Sequence, residues 1–440
     1  MPVGDIVSGY TFVPAEKNID QTKLNAIAGQ ATIAPAFISG QTPASSTGSG
    51  DYFVFLQSTG ALAKILTQDL ATSIGSSSGM TSAITAVRLR SFNAAGNPNF
   101  EVDQRTAHTG VTTGSNTWVT DRWMASKAGM ATAVATAVST AGGMVIPGVS
   151  PSFQISNYFL RVTITTPQAS LAAGDLLWLD QIVEGINFRE LANGHSVTLL
   201  VRSSVANLSF GLALRDANAA YSLVKLCTIP TANTWTLITL PNLATWTASG
   251  TFNWAPGTAG YHIGIGLAAG TTYTAPANDV WQTGNFMGAV GQSNFAASLA
   301  NSTFDIAFVQ HCPGSNTDLI DKPFQQNYDE VLRYYQKTYS YGVAQGSTNA
   351  NGSILGITAA STSPLVPISF KKTMAKAPTI GAFSATTGAA GNVRDYTASV
   401  DKAVSASQLV GDSGFGGFAV NTPNAATWQY GFHYTADTGW

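Results

Sequence analysis

The sequence predicts a mainly β protein: an N-terminal segment, a two-sheet sandwich, one short helix and a second β module. Three observations carry this expectation. The 440 residues include 43 glycines with abundant Thr, Ser and Ala, which favour strands and tight turns over long helices. Charged residues make up only 10%, well under the roughly 25% of ordinary soluble domains. Short alternating apolar runs, separated by Gly, Asn, Asp, Ser or Pro, recur from residue 84 onward.

The chain is longer than one core usually serves, so two or three domains are expected. Hydrophobic residues at 45% supply the material. The net charge of −2 provides no electrostatic footprint for nucleic acid or an anionic membrane.

Residues 1–83 have their own character. "NIDQTKLNAIAG" reads as a short helix, with Asp20 as cap, Leu24 and Ile27 on one face and Gly29 at the stop. "SGQTPASSTGSGD" follows as a linker. "YFVFLQSTGALAKILTQDLATSIG" reads as strand, turn, strand and a helix from about Thr67. The opening "MPVGDIVSGY" lacks the basic and apolar regions of a secretion signal.

Residues 84–323 read as β throughout. "YFLRVTITT", "HSVTLLVRSS", "SFGLALRD", "TWTLITLP", "YHIGIGLAA" and "TFDIAFVQ" are strands. Alternation in "SVTLLVRS" and "TWTLITLP" predicts one buried and one exposed face. Many strands without intervening helices predict two packed sheets, and the absence of a 20–50-residue repeat argues against a solenoid or propeller. The uncharged stretch from Ala128 to Leu160 is long enough to span a bilayer, but alternating Thr and Ser, with Gly and Pro, predict a strand pair and no membrane insertion.

At 324–339 the pattern changes. "FQQNYDEVLRYYQKTYSYG" places Tyr328, Leu332, Tyr335 and Tyr339 in a helical stripe beside Val331, with Asp329 and Arg333 as an i,i+4 pair and Lys337 near the C-terminal end. Two roles stand open: a connector packed on a sandwich, or a helix meeting its copies on a symmetry axis. From 340 to 440, "TMAKAPTIGAFSA", "TASVDKAVSASQLV", "GFGGFAVN" and "WQYGFHYTAD" predict a second β module.

"YDEVLRYYQKTY", "VPISFKKTMAKAPTIGAFSA" and the terminal "FHYTADTGW" resemble the C-terminal region of phage tail-fibre and other virion structural proteins. "NPNFEVDQRT", "TWVTDRWMA", "LLWLDQIVEGINFRELANGHSVTLLVRSS", "NTWTLITLP" and "WQTGNFMGAVGQSNFAASLANSTFDIAFVQ" resemble the carbohydrate-binding-module-like jelly roll of such proteins. "TKLNAIAGQATIAPAFISGQ" is similar to fibre N-termini that dock to the particle. The resemblance implies a particle-attachment segment at 1–83, a jelly roll at 84–323, a helical connector at 324–339 and a β tip at 340–440. It further implies a homotrimeric virion fibre or spike, assembled in the host cytoplasm. Its partners would be itself, other virion proteins through the N-terminal segment, and host surface polysaccharide. The chain departs from the pattern in lacking the Cys that often precedes Arg-Tyr-Tyr, and in ending Thr-Gly-Trp where an acidic-apolar ending is common.

Catalytic constellations are sparse, and no enzyme activity, cofactor or metal is expected. "GDSGFGG" (411–417) matches the nucleophile surroundings of trypsin-like proteases, but no upstream His has the required context, so a turn is expected. Asp175, Asp180, Glu184 and Glu190 form the densest acidic run and are the candidates for a glycosidase pair, the alternative of a polysaccharide depolymerase. His311–Cys312 and the lone Cys227 lack metal-ligand spacing, and His108, His195, His262 and His433 are scattered. A jelly-roll calcium ion stays open, with no acidic loop to identify its site. "GIGLAAG" (264–270) imitates a dinucleotide loop inside a strand-like run.

Aromatic residues are the positive candidates, because apolar sugar faces stack on Trp or Tyr while hydroxyls need polar neighbours. Loop-like surroundings select Trp246, Trp254, Tyr261, Tyr273, Trp281 and Asn285 for glycan binding. Trp118, Trp123, Trp178 and Trp235 sit inside strand-like runs and rank below them. Trp428, Tyr430, Tyr434 and Trp440 at the tip stay ambiguous between core and ligand roles. The expected function is multivalent, non-catalytic adhesion, with a purely structural virion component as the alternative.

Overall fold

The computed structural model describes the backbone at 52–56 and 62–66, and the chain from 92 onward except residues 107, 109–110, 131–132, 146–153, 316, 318 and 321. The expected helices at 18–29 and from Thr67 lie outside the described residues. Residues 1–88 and 89–440 are separate compact units. In the first, β1 (Tyr52–Leu56) and β2 (Leu62–Leu66) pair antiparallel, with Tyr52 opposite Leu66.

The second unit begins with β3 (Val111–Thr112), β4 (Thr117–Thr120), β5 (Trp123–Ala128), β6 (Ala133–Val145), β7 (Gln154–Ile164) and β8 (Leu176–Glu184). A single-turn helix α1 (Gly185–Phe188) leads to β9 (His195–Ser203), β10 (Leu208–Asp216), β11 (Tyr221–Ile229) and β12 (Thr236–Leu240). Then come β13 (Ala259–Ala269), β14 (Trp281–Thr283) and β15 (Thr303–Pro313). Among the described residues these strands form a seven-stranded sheet, β14-β11-β10-β13-β8-β5-β4, and a six-stranded sheet, β12-β9-β15-β7-β6-β3. All their pairings are antiparallel. The uncharged stretch at 128–160 is the expected strand pair, β6 with β7.

Alternating side chains meet between the sheets, where Trp123, Leu199, Phe210, Tyr261, Ile265 and Phe304 are fully buried. The expected exposed face of β9 is absent: all its residues but Arg202 are buried. Central position explains this. Val197, Leu199 and Val201 face the main core, while Leu200 packs outside with Phe159, Phe308 and Trp235. β12, at the sheet edge, keeps its partial exposure.

A similar second layer covers part of the seven-stranded sheet. The segment 270–292 lays Ala275 and Met287 against Leu176, Ala213 and Val224. It approaches so closely that a Cβ at Gly211 or Gly266 would stand 2.3 or 2.2 Å from the Met287 carbonyl oxygen. Only bare backbone fits beneath it.

The predicted helix is shorter than its periodicity. α2 (Phe324–Val331) stops before Arg333, and Tyr335–Lys337 form strand β16 opposite Thr435–Asp437. Asp329 accepts from Gln325, while Arg333 pairs with Glu184 instead. Sheet hydrogen bonds and a cross-chain ion pair outweigh the helical stripe, a case of tertiary contacts overriding local propensity. This places the connector on the sandwich.

The C-terminal module follows: β17 (Ile354–Thr358), β18 (Ile368–Ser369), β19 (Thr379–Ser384), β20 (Asn392–Asp395) and β21 (Val400–Ser407). β22 (Gly414–Phe415), β23 (Phe418–Val420) and β24 (Trp428–Asp437) complete it. β24 is central, with β16 and β17 along one edge and β19 and β20 along the other. Trp428, Phe432, Phe415, Phe418 and Val393 form the core. Within 411–417, Asp412 and Ser413 form a bend entering β22, where Ser413 Oγ donates to its neighbour Asp412.

Polar contacts join the module to the sandwich. Lys337 Nζ donates to the carbonyl oxygens of Gln104 (2.6 Å), Tyr341 (3.1 Å) and Val343 (2.6 Å). Burial lowers this amine to about 8.

Candidate functional site

Strand pairing places chemistry on the outer face of the seven-stranded sheet. Residues directly opposite in an antiparallel pair share a face, as do positions i and i+2. Ser126 lies opposite Trp178, and Trp178 opposite Gly266; Met124 lies opposite Asp180, and Asp180 opposite Gly264. One step along, Ile182 faces His262, and His262 faces Arg215. In "LLWLDQIVE", Leu177, Leu179 and Val183 enter the core, so Trp178, Asp180, Ile182 and Glu184 point outward. Glycines at 264 and 266 keep the neighbouring strand low beside the indole and carboxylate.

The outward groups are connected. Asp180 accepts from Arg215 Nη2 at 2.6 Å and from His262 Nδ1 at 3.0 Å, and Asn285 accepts from Arg215 Nη1 at 2.8 Å. The Arg215 guanidinium lies 4.4 Å from the Trp178 ring centroid. Burial raises the Asp180 carboxyl, but Arg215 and His262 together outweigh it and hold it below the usual carboxylate range. Its charge is therefore fixed at neutral pH. Two donors here, Trp178 Nε1 and Arg215 Nε, are buried without a hydrogen-bond partner. Unmade bonds of this kind are costly.

The six residues selected from the sequence divide. Asn285 joins the polar network, and half-buried Tyr273 packs in the apolar layer beside it. Trp246 and Trp281 are half-buried against the main core, 5.4 Å apart, with Phe188 and Phe252 packed around Trp246. Trp246 also stacks on His195 at 4.4 Å and donates Nε1 to Leu191 O. Tyr261 offers no face to a sugar: it is fully buried, and its hydroxyl contacts His311 Nδ1 at 2.7 Å. Its position on the inward face of a central strand explains this. His311 Nε2 in turn contacts His195 Nδ1 at 3.0 Å, and burial lowers both imidazoles, His195 to about 4. Trp254 is 51% exposed, its ring 5.0 Å from Phe188.

Strand context ranks Trp178 low in the sequence, and Arg215 and His262 carry no spacing signal there. The period-2 pattern of residues 176–184 is the available clue. It names the face, but not which strands flank it.

The candidate acid pair does not assemble. Asp175 accepts from Gln168 and the Ala172 N–H, and Glu190 lies beside Arg189 on the surface. Asp180 and Glu184 share a strand face but stand four residues apart, about 13 Å along a strand. Glycosidase carboxylates need about 5–10 Å. Among the described residues no group of three or more His, Cys, Asp or Glu is arranged to hold a metal ion. Cys227 and Cys312 are buried thiols, both pushed up to about 12 by burial.

No protein-family model matches the sequence, and no curated protein matches it. Solved structures similar to it are mostly carbohydrate-binding modules. The family 61 module TmCBM61, solved with β-1,4-galactotriose, shares 13% identity at a TM-score of 0.25, over 50% of this chain and 98% of that one. The family 11 module of Clostridium thermocellum, solved with a β-1,3-1,4-mixed-linked tetrasaccharide, shares 10% at 0.23, over 48% and 98%. Tailspike protein 4 of bacteriophage CBA120 shares 12% at 0.23, over 48% of this chain and 21% of that one. At this level of similarity none of them bears on what this chain binds.

Proposed function

We propose that residues 89–440 bind saccharide on the outer face of the seven-stranded sheet without cleaving it, and that the chain is an adhesion subunit of a phage fibre or spike. The carrying observation is the half-buried Trp178 beside the Asp180–Arg215–His262 network, with unpartnered N–H donors on both the indole and the guanidinium. An indole takes the apolar face of a sugar ring, and polar groups around it serve the hydroxyls. The separation and engagement of the acidic residues support a non-catalytic role. The virion setting and the trimer rest on the sequence resemblance. Three copies per fibre would multiply weak contacts through effective concentration.

The test is retention of the purified chain on a panel of immobilised bacterial surface polysaccharides, with reducing ends assayed in parallel. Retention without release, lost in Trp178→Ala, is the expected result. Reducing-end release overturns the non-catalytic reading. No retention on any polysaccharide favours a structural virion component.

A further inference from the structure

Where the sandwich meets α2, a cleft of about 400 Å³ opens, lined by Arg122, Glu184, Lys322, Arg333, Tyr334 and Lys372, among others. This is within the usual range for small-molecule sites. Its basic groups are unequally matched. Glu184 is saturated by Arg333 Nε and Nη2 (2.8 and 2.6 Å), the Tyr334 hydroxyl (2.8 Å) and the Gly257 N–H (2.7 Å). Glu330 is taken by Lys322 at 2.6 Å. Arg122 and Lys372 have no acidic partner within ion-pair distance among the described residues.

Arg122 is the unusual member. It is 3% exposed, its Nη2 donates to the Ile182 carbonyl, and its Nε and Nη1 are buried without partners. The guanidinium carbon lies 3.6 Å from the Tyr334 ring centroid. Gly96 makes room for it, since a Cβ there would stand 2.9 Å from Nε. The residue occupies the two-residue turn between β4 and β5 at φ 73°, a conformation that bulky side chains rarely adopt. A buried guanidinium with unmade hydrogen bonds is expensive to maintain unless an anion completes it. Its planar fork matches the oxygens of a carboxylate or phosphate.

We propose that this cleft binds the oxyanion of an acidic saccharide, a uronate carboxylate or a sugar phosphate. Arg122 is its buried anchor, and Lys372 supplies positive charge at the exposed rim. The inference rests on the saccharide reading only for the carrier of the anion, and the cleft is lined by none of Trp178, Asp180, Arg215 and His262.

The experiment titrates the full chain calorimetrically with galacturonate, galactose 6-phosphate and galactose. Saturable binding of either acidic sugar, with none for galactose at the same concentration, is expected, and which of the two binds identifies the anion. Arg122→Gln should weaken binding by at least about tenfold. The exposed Lys372→Glu should weaken it about threefold with an unchanged melting temperature. Binding of neither acid, or equal binding of galactose, overturns the proposal. Should Arg122→Gln not melt cooperatively, Lys372→Glu decides, and unchanged affinity there overturns it. Failure of neutral-polysaccharide retention with acidic-sugar binding intact overturns the sheet-face reading alone.

Discussion

Arg105 and Asp437, 332 positions apart, meet in a two-bonded ion pair, with Nη1 and Nη2 at 2.5 and 2.8 Å from the carboxylate oxygens. The guanidinium also lies 3.9 Å from the Trp118 ring centroid and 4.2 Å from that of Tyr335. One side chain thus ties β4, β16 and the end of β24 together, joining the start of the sandwich to the last strand of the chain. Arg105→Met should destabilise the unit by about 3 kcal/mol, because Asp437 loses its partner in a largely buried place. Arg105→Lys should recover little, since a lysine reproduces neither the fork nor the stacking. Urea unfolding followed by tryptophan fluorescence measures both.

The same corner sets an unusual pH dependence. Burial pushes Asp121 up to about 7. Its Oδ1 stands 3.5 Å from Arg105 Nε without a hydrogen bond, because the Arg105 fork is committed to Asp437. The folded state therefore keeps a proton that the unfolded chain has released above about pH 4. Stability from this group is full below that pH and declines as pH rises to about 7, by up to ~1.4 kcal/mol per pH unit. Glu184 and Asp437 act oppositely. Burial raises each, but the bonds to Arg333 and Arg105 outweigh it and hold both below the usual carboxylate range, so their contribution is present above about pH 4 and is lost as pH falls through the folded values. The buried imidazoles of His195 and His311 also oppose Asp121, since between about pH 4 and 6.5 the unfolded chain binds protons there that the folded state does not. Asp121→Asn should remove this one declining contribution, so that its urea midpoint gains on the unsubstituted protein as pH rises from about 4 to 7, while the acid limb stays in place.

Trp178→Ala should lower polysaccharide affinity by about tenfold, from lost stacking. Trp254→Ala should leave retention nearly unchanged. Tyr261→Phe should also spare retention but cost about 2 kcal/mol, because His311 Nδ1 is left buried and unsatisfied. Affinity chromatography paired with thermal melts separates the two kinds of effect.

Gly266→Ala places a methyl group 2.2 Å from the Met287 carbonyl oxygen. The segment 270–292 must lift or the strand must shift, at a cost of about 2 kcal/mol. Limited proteolysis should show earlier cleavage in 270–292, and the melting temperature should fall.

Much of this architecture is legible in the chain. Period-2 runs mark β9, β10, β13 and β15, and turn residues separate them, because strand geometry is a local property of side-chain alternation. The strand pair in the uncharged stretch is legible for the same reason. The length of α2 is not: "YDEVLRYYQKTY" carries a helical stripe through Tyr339, yet β24 and Glu184 claim its second half. Tyr261 and Trp178 point to opposite faces of the sheet for a related reason. Both lie in strands, but which face of a strand meets the core depends on the opposite sheet.

The sequence by itself determined the fold class, most strand positions and the lack of charge, since each follows from residue type and spacing within a few residues. Only the tertiary structure decided that Arg215, His262 and Asn285 gather around Asp180, and that Arg122 is buried against Tyr334. Those neighbours are brought together by strand order and chain crossing, and their effect on charge comes from burial, which no local pattern encodes.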